Sequence, residues 1–189
     1  SGDWSSDVCS SDLFESEEGY HTMIYPFEGK FAHEGLAALI GHRIGTQKPM
    51  SFSIATNDYG FELLSNKPVQ VNDEIVRYWF QKEHLERDLL AGVNAAELAG
   101  RQFRDIATIA GLLFKGYPGQ PIRDRHIQSS AQLLFRVFQD YDPGNLLIRQ
   151  SYDELLYRQF DLQRMHHALD RMLKAEFIFT RPEKPTPFA

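Results

Sequence analysis

Met50-Ser51-Phe52-Ser53-Ile54-Ala55-Thr56-Asn57-Asp58-Tyr59-Gly60-Phe61-Glu62-Leu63-Leu64 reads as two short strands around a turn. Phe52 and Ile54 fall on one side of the first strand and Ser51 and Ser53 on the other, the period of two that a half-buried strand needs. Asn57-Asp58-Tyr59-Gly60 is a turn quartet, because Asn, Asp and Gly tolerate left-handed dihedrals, and residues 61–64 return as the second strand. Upstream, residues 20–27 are rich in aromatic and branched side chains and suit a strand, whose end Pro26 places at an edge. Between the two, Phe31, Leu36, Leu39, Ile40 and Ile44 share one helical face, which predicts a helix over 31–46.

Beyond Pro68 the pattern turns helical. Asn72-Asp73-Glu74 can cap a short helix through 75–80, and 83–90 continues in the same style. Asn94 opens a longer one over 95–114, whose stripe is Leu98, Phe103, Ile106, Ile109, Ala110, Leu113 and Phe114. The Gly- and Pro-rich run 116–121 must break it. A further helix is expected over 124–139, carrying Ile127, Leu133, Leu134, Val137 and Phe138, then two over 145–160 and 161–175, then a strand over 177–180. The fold class is therefore α+β: a small antiparallel or mixed sheet with a hairpin, followed by a mainly helical bundle. Its expected parts are a sheet part over 20–66, a helical part over 72–175 and a final strand over 176–181.

A chain of 189 residues with 42% hydrophobic content can bury a core, which excludes a disordered tail. No apolar run approaches the ~18 residues of a membrane span, and no membrane partner is expected. The single cysteine, Cys9, has no internal partner, which fits a reducing cytoplasm. Residues 3–13, rich in Ser and Asp, have no periodicity and resemble the conceptual translation of a short-read sequencing adapter. Residues 1–13 are accordingly read as a foreign, disordered leader. Residues 14–189 are read as one domain, truncated at both ends.

Catalytic patterns are weak. His33-Glu34 lacks the histidine four positions on that a helical zinc pair needs, because residue 37 is Ala, so a satisfied structural histidine is the reading. His166 and His167 point about 100° apart on a helix and cannot chelate together. Asp73-Glu74 looks like an ATPase acidic box, yet no phosphate loop of the Gly-x-x-x-x-Gly-Lys-Ser/Thr kind accompanies it. No metal site and no cofactor is expected within this chain.

Local charge is more informative than the overall −6. Residues 101–149 hold seven basic side chains against four carboxylates, and arginine dominates, which favours bidentate phosphate contact. Arg101 and Arg104 lie on the predicted long helix, Lys115 and Tyr117 enter the Gly- and Pro-rich loop, and Arg123, Arg125 and His126 open the next helix, where backbone N–H groups also attract phosphate. Tyr117 could stack on a base. A solvated helix face with ordinary surface arginines fits these residues equally well.

Several separated segments resemble one family in order. Tyr25-Pro26-Phe27-Glu28-Gly29-Lys30-Phe31-Ala32-His33-Glu34-Gly35-Leu36-Ala37-Ala38-Leu39 is similar to the start of the DEAD/H-associated domain of Large-helicase-related proteins. Residues 53–64, 101–107, 116–120, 141–147 and 185–189 resemble the ligase-associated DEXH-box branch of that family. The resemblance implies a parent that translocates on single-stranded DNA in DNA repair, with two motor domains and a winged helix ahead of this one, and with ATP and Mg²⁺ bound outside this chain. It further implies that residues 101–125 contact the strand. Relatives tend to carry a tryptophan where this chain has Ile122-Arg123-Asp124-Arg125, so phosphate contact is expected there and base stacking is not. The alternative is a structural or docking module that braces the motor or meets a DNA ligase, its arginines binding acidic protein surfaces.

Overall fold

The structure is a computed structural model and describes residues 8–180. In chain order the strands among these residues are β1 (Val8–Ser16), β2 (Gly19–Ile24), β3 (Phe52–Thr56), β4 (Phe61–Ser65), β5 (Gly116–Tyr117), β6 (Gln120–Pro121) and β7 (Glu176–Thr180). The helices are α1 (Lys30–Gln47), α2 (Asp73–Phe80), α3 (Leu85–Gly92), α4 (Ala95–Ile109), α5 (Asp124–Tyr141), α6 (Leu146–Glu154) and α7 (Leu162–Lys174), with a π-helical turn, Leu155–Gln159, following α6. The α+β class with a mixed sheet and a hairpin is what the sequence predicts. The described residues form two units: one from residues 8–93 and 160–180, the other from 94–159. The helices α1, α2, α3 and α7 therefore belong with the sheet, whereas chain order had grouped 72–175 as one helical part.

In the first unit the sheet runs β3-β4-β2-β1-β7, antiparallel except for β1 with β7. The turn between β3 and β4 closes as predicted, with the Asn57 side chain accepting from the Tyr59 and Gly60 N–H groups at 2.8 and 2.9 Å. Gly60 is there for close approach, since a Cβ would collide with the Ile24 carbonyl oxygen. Because β3 is a sheet edge, Ile54 stays 47% exposed. Residues 8–13, expected to be disordered, lie in β1 between β2 and β7. Small side chains let this segment pair on both edges without an apolar alternation: Cys9, Ser11 and Asp12 are buried, and Asp12 accepts from the Tyr25 hydroxyl at 3.1 Å. Burial pushes the Cys9 thiol up to about 12, so it is held as an unreactive thiol.

The helix α1 packs on β3 and β4 and carries α2, α3 and α7 on its other sides. Asn72 caps α2 by accepting from the Ile75 N–H at 2.8 Å, and Asp73 and Glu74 sit in its first turn, where the helix dipole favours carboxylates. That placement accounts for the acidic pair. The connection from β2 to α1 is pinned to α7: Arg171 donates to the Pro26 carbonyl at 2.6 Å and pairs with Glu28 at 2.9 Å, and Arg164 donates to the Glu28 carbonyl at 3.1 Å. His33 is fully buried, its Nδ1 donating to the Asn57 carbonyl at 2.7 Å and its Nε2 accepting from the Glu28 N–H at 3.0 Å. Both ring nitrogens are committed to two loops, the satisfied structural histidine that the sequence predicts.

The second unit comprises α4, the β5–β6 hairpin, α5, α6 and the π turn. The helix α4 ends at Ile109 rather than Phe114 because Gly111 adopts φ +78°, the left-handed conformation that closes a helix, and the Leu112 N–H folds back to the Ala107 carbonyl at 2.9 Å. Its buried face is Ala99, Phe103 and Ala107, while Ile109 is 88% exposed and Phe114 is exposed as well. On α5 the buried stripe is Ile127, Ala131 and Phe135, so Leu133 and Val137, expected in the core, face outward. Phe103 sits against Phe135 and Phe138, with ring centroids 5.3 and 6.0 Å apart.

Candidate nucleic-acid interface

All seven sequence-predicted contact residues fall in the second unit, and the structure sorts them into two groups. Arg101 and Arg104 stand one turn apart on α4, and both are already engaged by carboxylates. The Arg101 guanidinium meets Glu97 at 2.5 Å across one helical turn, and Arg104 meets Asp105 at 3.5 Å. The second group surrounds the start of α5. Arg123 is the N-cap, with extended φ and ψ of −60° and 132°, and Arg125 and His126 occupy the first turn. All three are exposed, and among the described residues none makes an ion pair.

The β5–β6 hairpin delivers the remaining two. The Ile122 N–H donates to the Lys115 carbonyl at 3.0 Å, which ties the chain entering the hairpin to the residue just before α5. Lys115 points its charge outward, and Tyr117 is 72% exposed. The Tyr117 ring meets Phe114 edge to face at 5.1 Å, a contact that fixes a large aromatic surface at low entropy cost. Exposed aromatic faces beside unpaired cations are the ingredients of a single-strand binding surface, in which bases stack and phosphates are neutralised. The helix stripe read from the sequence includes Phe114, whose exposed ring the structure instead sets against Tyr117. The place of Phe114 just before the Gly- and Pro-rich run is the signal that could have shown this contact.

Between α4 and α5 lies a groove of about 410 Å³. Glu97, Gly100, Arg101 and Arg104 line it from α4, and Gln128, Ala131, Gln132, Phe135, Arg136 and Gln139 from α5. The spacing 128, 132, 136 repeats every four residues, so Gln128, Gln132 and Arg136 form one polar stripe along α5. Arg136 had entered the local charge count and the two glutamines had not. Among the described residues no cluster of His, Cys, Asp and Glu could hold a metal ion, and no helix is long and apolar enough to cross a membrane.

Comparison with known proteins follows this geometry. The family model described as DEAD/H associated matches residues 12–189. The ATP-dependent helicase Lhr-Core protein 2 of Thermococcus barophilus is 28% identical over 172 residues, covering 90% of this chain and 20% of that protein. The ATP-dependent helicase Lhr-Core of Methanocaldococcus jannaschii is 22% identical over 176 residues, covering 93% and 21%. Among solved structures, that of Mycobacterium smegmatis helicase Lhr bound to ssDNA and AMP-PNP is similar in fold over 97% of this chain and 23% of that one, with a TM-score of 0.76 at 20% identity. The chain thus spans about a fifth of the length of these relatives.

Proposed function

Since this chain belongs to the DEAD/H associated family, we propose that it is the accessory nucleic-acid-binding domain of a longer Lhr-type helicase and grips single-stranded DNA while motor domains elsewhere in the parent hydrolyse ATP with Mg²⁺. The observation that carries this reading is the exposed cluster Arg123, Arg125 and His126 at the start of α5, without an ion pair among the described residues, which follows directly on the hairpin that exposes Tyr117. The relative whose structure contains ssDNA supports single-stranded DNA as the ligand. In this reading the partners are the strand and the parent's motor and winged-helix domains, and the setting is cytoplasmic DNA repair.

A second reading, a docking module that braces the motor or meets a DNA ligase, is favoured by the outer face of α5. Leu133, Val137 and Tyr141 follow at four-residue spacing and are 66%, 43% and 85% exposed. Salt separates the two readings. Single-strand binding by the wild-type chain is expected to weaken by about 0.7 log unit per log unit of salt for each phosphate held. The double substitution Arg123→Ala/Arg125→Ala removes two such contacts, so the slope in fluorescence anisotropy should become shallower by about 1.4. Unchanged affinity and slope in that variant would favour docking.

A further inference from the structure

We infer that Arg136, and not Arg101 or Arg104, is the residue that holds a phosphate in the α4–α5 groove, with Gln128 and Gln132 hydrogen-bonding the same single strand along α5. The inference rests on the nucleic-acid reading above and deepens it. Three arginines line the groove, and their surroundings rank them. Glu97 already neutralises Arg101 at 2.5 Å, and Asp105 faces Arg104 at 3.5 Å. A phosphate binding at either must compete with a carboxylate of the same charge. Arg136 is exposed and has no ion pair among the described residues, so its fork is open to a bidentate phosphate contact.

The two glutamines supply what arginine cannot. Each amide offers donors and an acceptor, which suits the edges of unstacked bases more than the phosphates. Gln128 and Gln132 precede Arg136 by two turns and one turn on the same face, and Arg125 lies a turn before Gln128. From Arg125 to Arg136 the helix rises roughly 16 Å, so a strand entering at the start of α5 runs along the stripe for several nucleotides. The groove of about 410 Å³ gives part of one strand a place to lie between the two helices.

The test uses fluorescein-labelled oligothymidylate and the full chain, with folding of each variant confirmed by circular dichroism. Arg136→Ala is expected to weaken binding about tenfold and to make the salt slope shallower by about 0.7. Gln128→Ala/Gln132→Ala should weaken it severalfold with the slope unchanged. Arg101→Ala/Arg104→Ala should change little, and Glu97→Gln, which releases Arg101, should tighten binding. Wild-type affinity in Arg136→Ala, with Arg123→Ala/Arg125→Ala still impaired, would overturn this inference and leave the proposed function standing. Absence of binding by the wild-type chain would overturn both.

Discussion

Replacing Arg43 by leucine is expected to lower the unfolding free energy by about 3–5 kcal/mol, because it strands a buried charge. Arg43 is fully buried on α1, and its Nε donates to Asp88 of α3 at 3.0 Å. Its other nitrogens donate to the carbonyls of Trp79, Gln81 and Glu83 at 2.7, 2.6 and 2.9 Å, closing the end of α2 and the turn into α3. Leucine fills part of the volume and satisfies none of these acceptors, leaving Asp88 to the exposed Arg87 alone. Urea unfolding followed by circular dichroism measures the loss. A cost below about 1 kcal/mol would mean that water or a local shift satisfies the carbonyls.

The same core gives the fold an acid limb. At Asp88 burial raises the carboxyl, but the hydrogen bonds from Arg87 and Arg43 outweigh it and hold the group below its ordinary value. At His33 burial lowers the imidazole, opposed more weakly by the bond to the Asn57 carbonyl and by the Glu28 and Asp58 carboxylates. In both cases the unfolded chain takes up the proton first as pH falls, so protonation favours unfolding. Stability is therefore expected to be intact above about pH 6.5, to decline below it as His33 is drawn upon, and to decline again below about pH 4 through Asp88. In Arg43→Leu the lower step shrinks, because one of the two arginines depressing Asp88 is gone.

Phe103→Ala is the second change with a large expected effect. Phe103 is fully buried in the second unit, between Phe135 and Phe138 of α5, and truncation of such a ring costs about 3–5 kcal/mol. That unit relies on few large side chains, so the loss should open it selectively. Hydrogen exchange is expected to accelerate across residues 94–159 while β2, β4 and α1 keep their protection. Binding to single-stranded DNA should fall with it, since α4 and α5 hold the cations in register. Uniform acceleration through both units would show that they unfold together.

How far the sequence carries this account depends on the signal behind each element. Periodicity of 3.6 placed α1 and α5, the capping residues at Asn72 placed α2, and the alternation at Phe52 and Ile54 with the turn at Asn57 placed the hairpin. The strand β1 escaped because Cys9, Ser11 and Asp12 are small or polar, and a strand paired on both edges is specified by its neighbours as much as by itself. The apolar stripe runs on through Leu113 and Phe114 past the true end of α4, which the left-handed conformation of Gly111 closes. The return of α7 to the sheet is a long-range contact that no local pattern announces. At the interface the charges were legible and their pairing was only partly so. Glu97 precedes Arg101 by four residues, a spacing that announces the ion pair, whereas Asp140 follows Arg136 at the same spacing and no ion pair forms at Arg136 among the described residues.

Strand binding by the second unit, through the start of α5 and the β5–β6 hairpin, is what the proposed function rests on. It is tested most directly by photocrosslinking the full chain to single-stranded DNA carrying 5-iododeoxyuridine and mapping the adducts by mass spectrometry. Adducts are expected at Tyr117 and Phe114, with others along α5 between Arg125 and Arg136, all suppressed by unlabelled strand. Adducts confined to the sheet-bearing unit, or none that unlabelled strand suppresses, would contradict it.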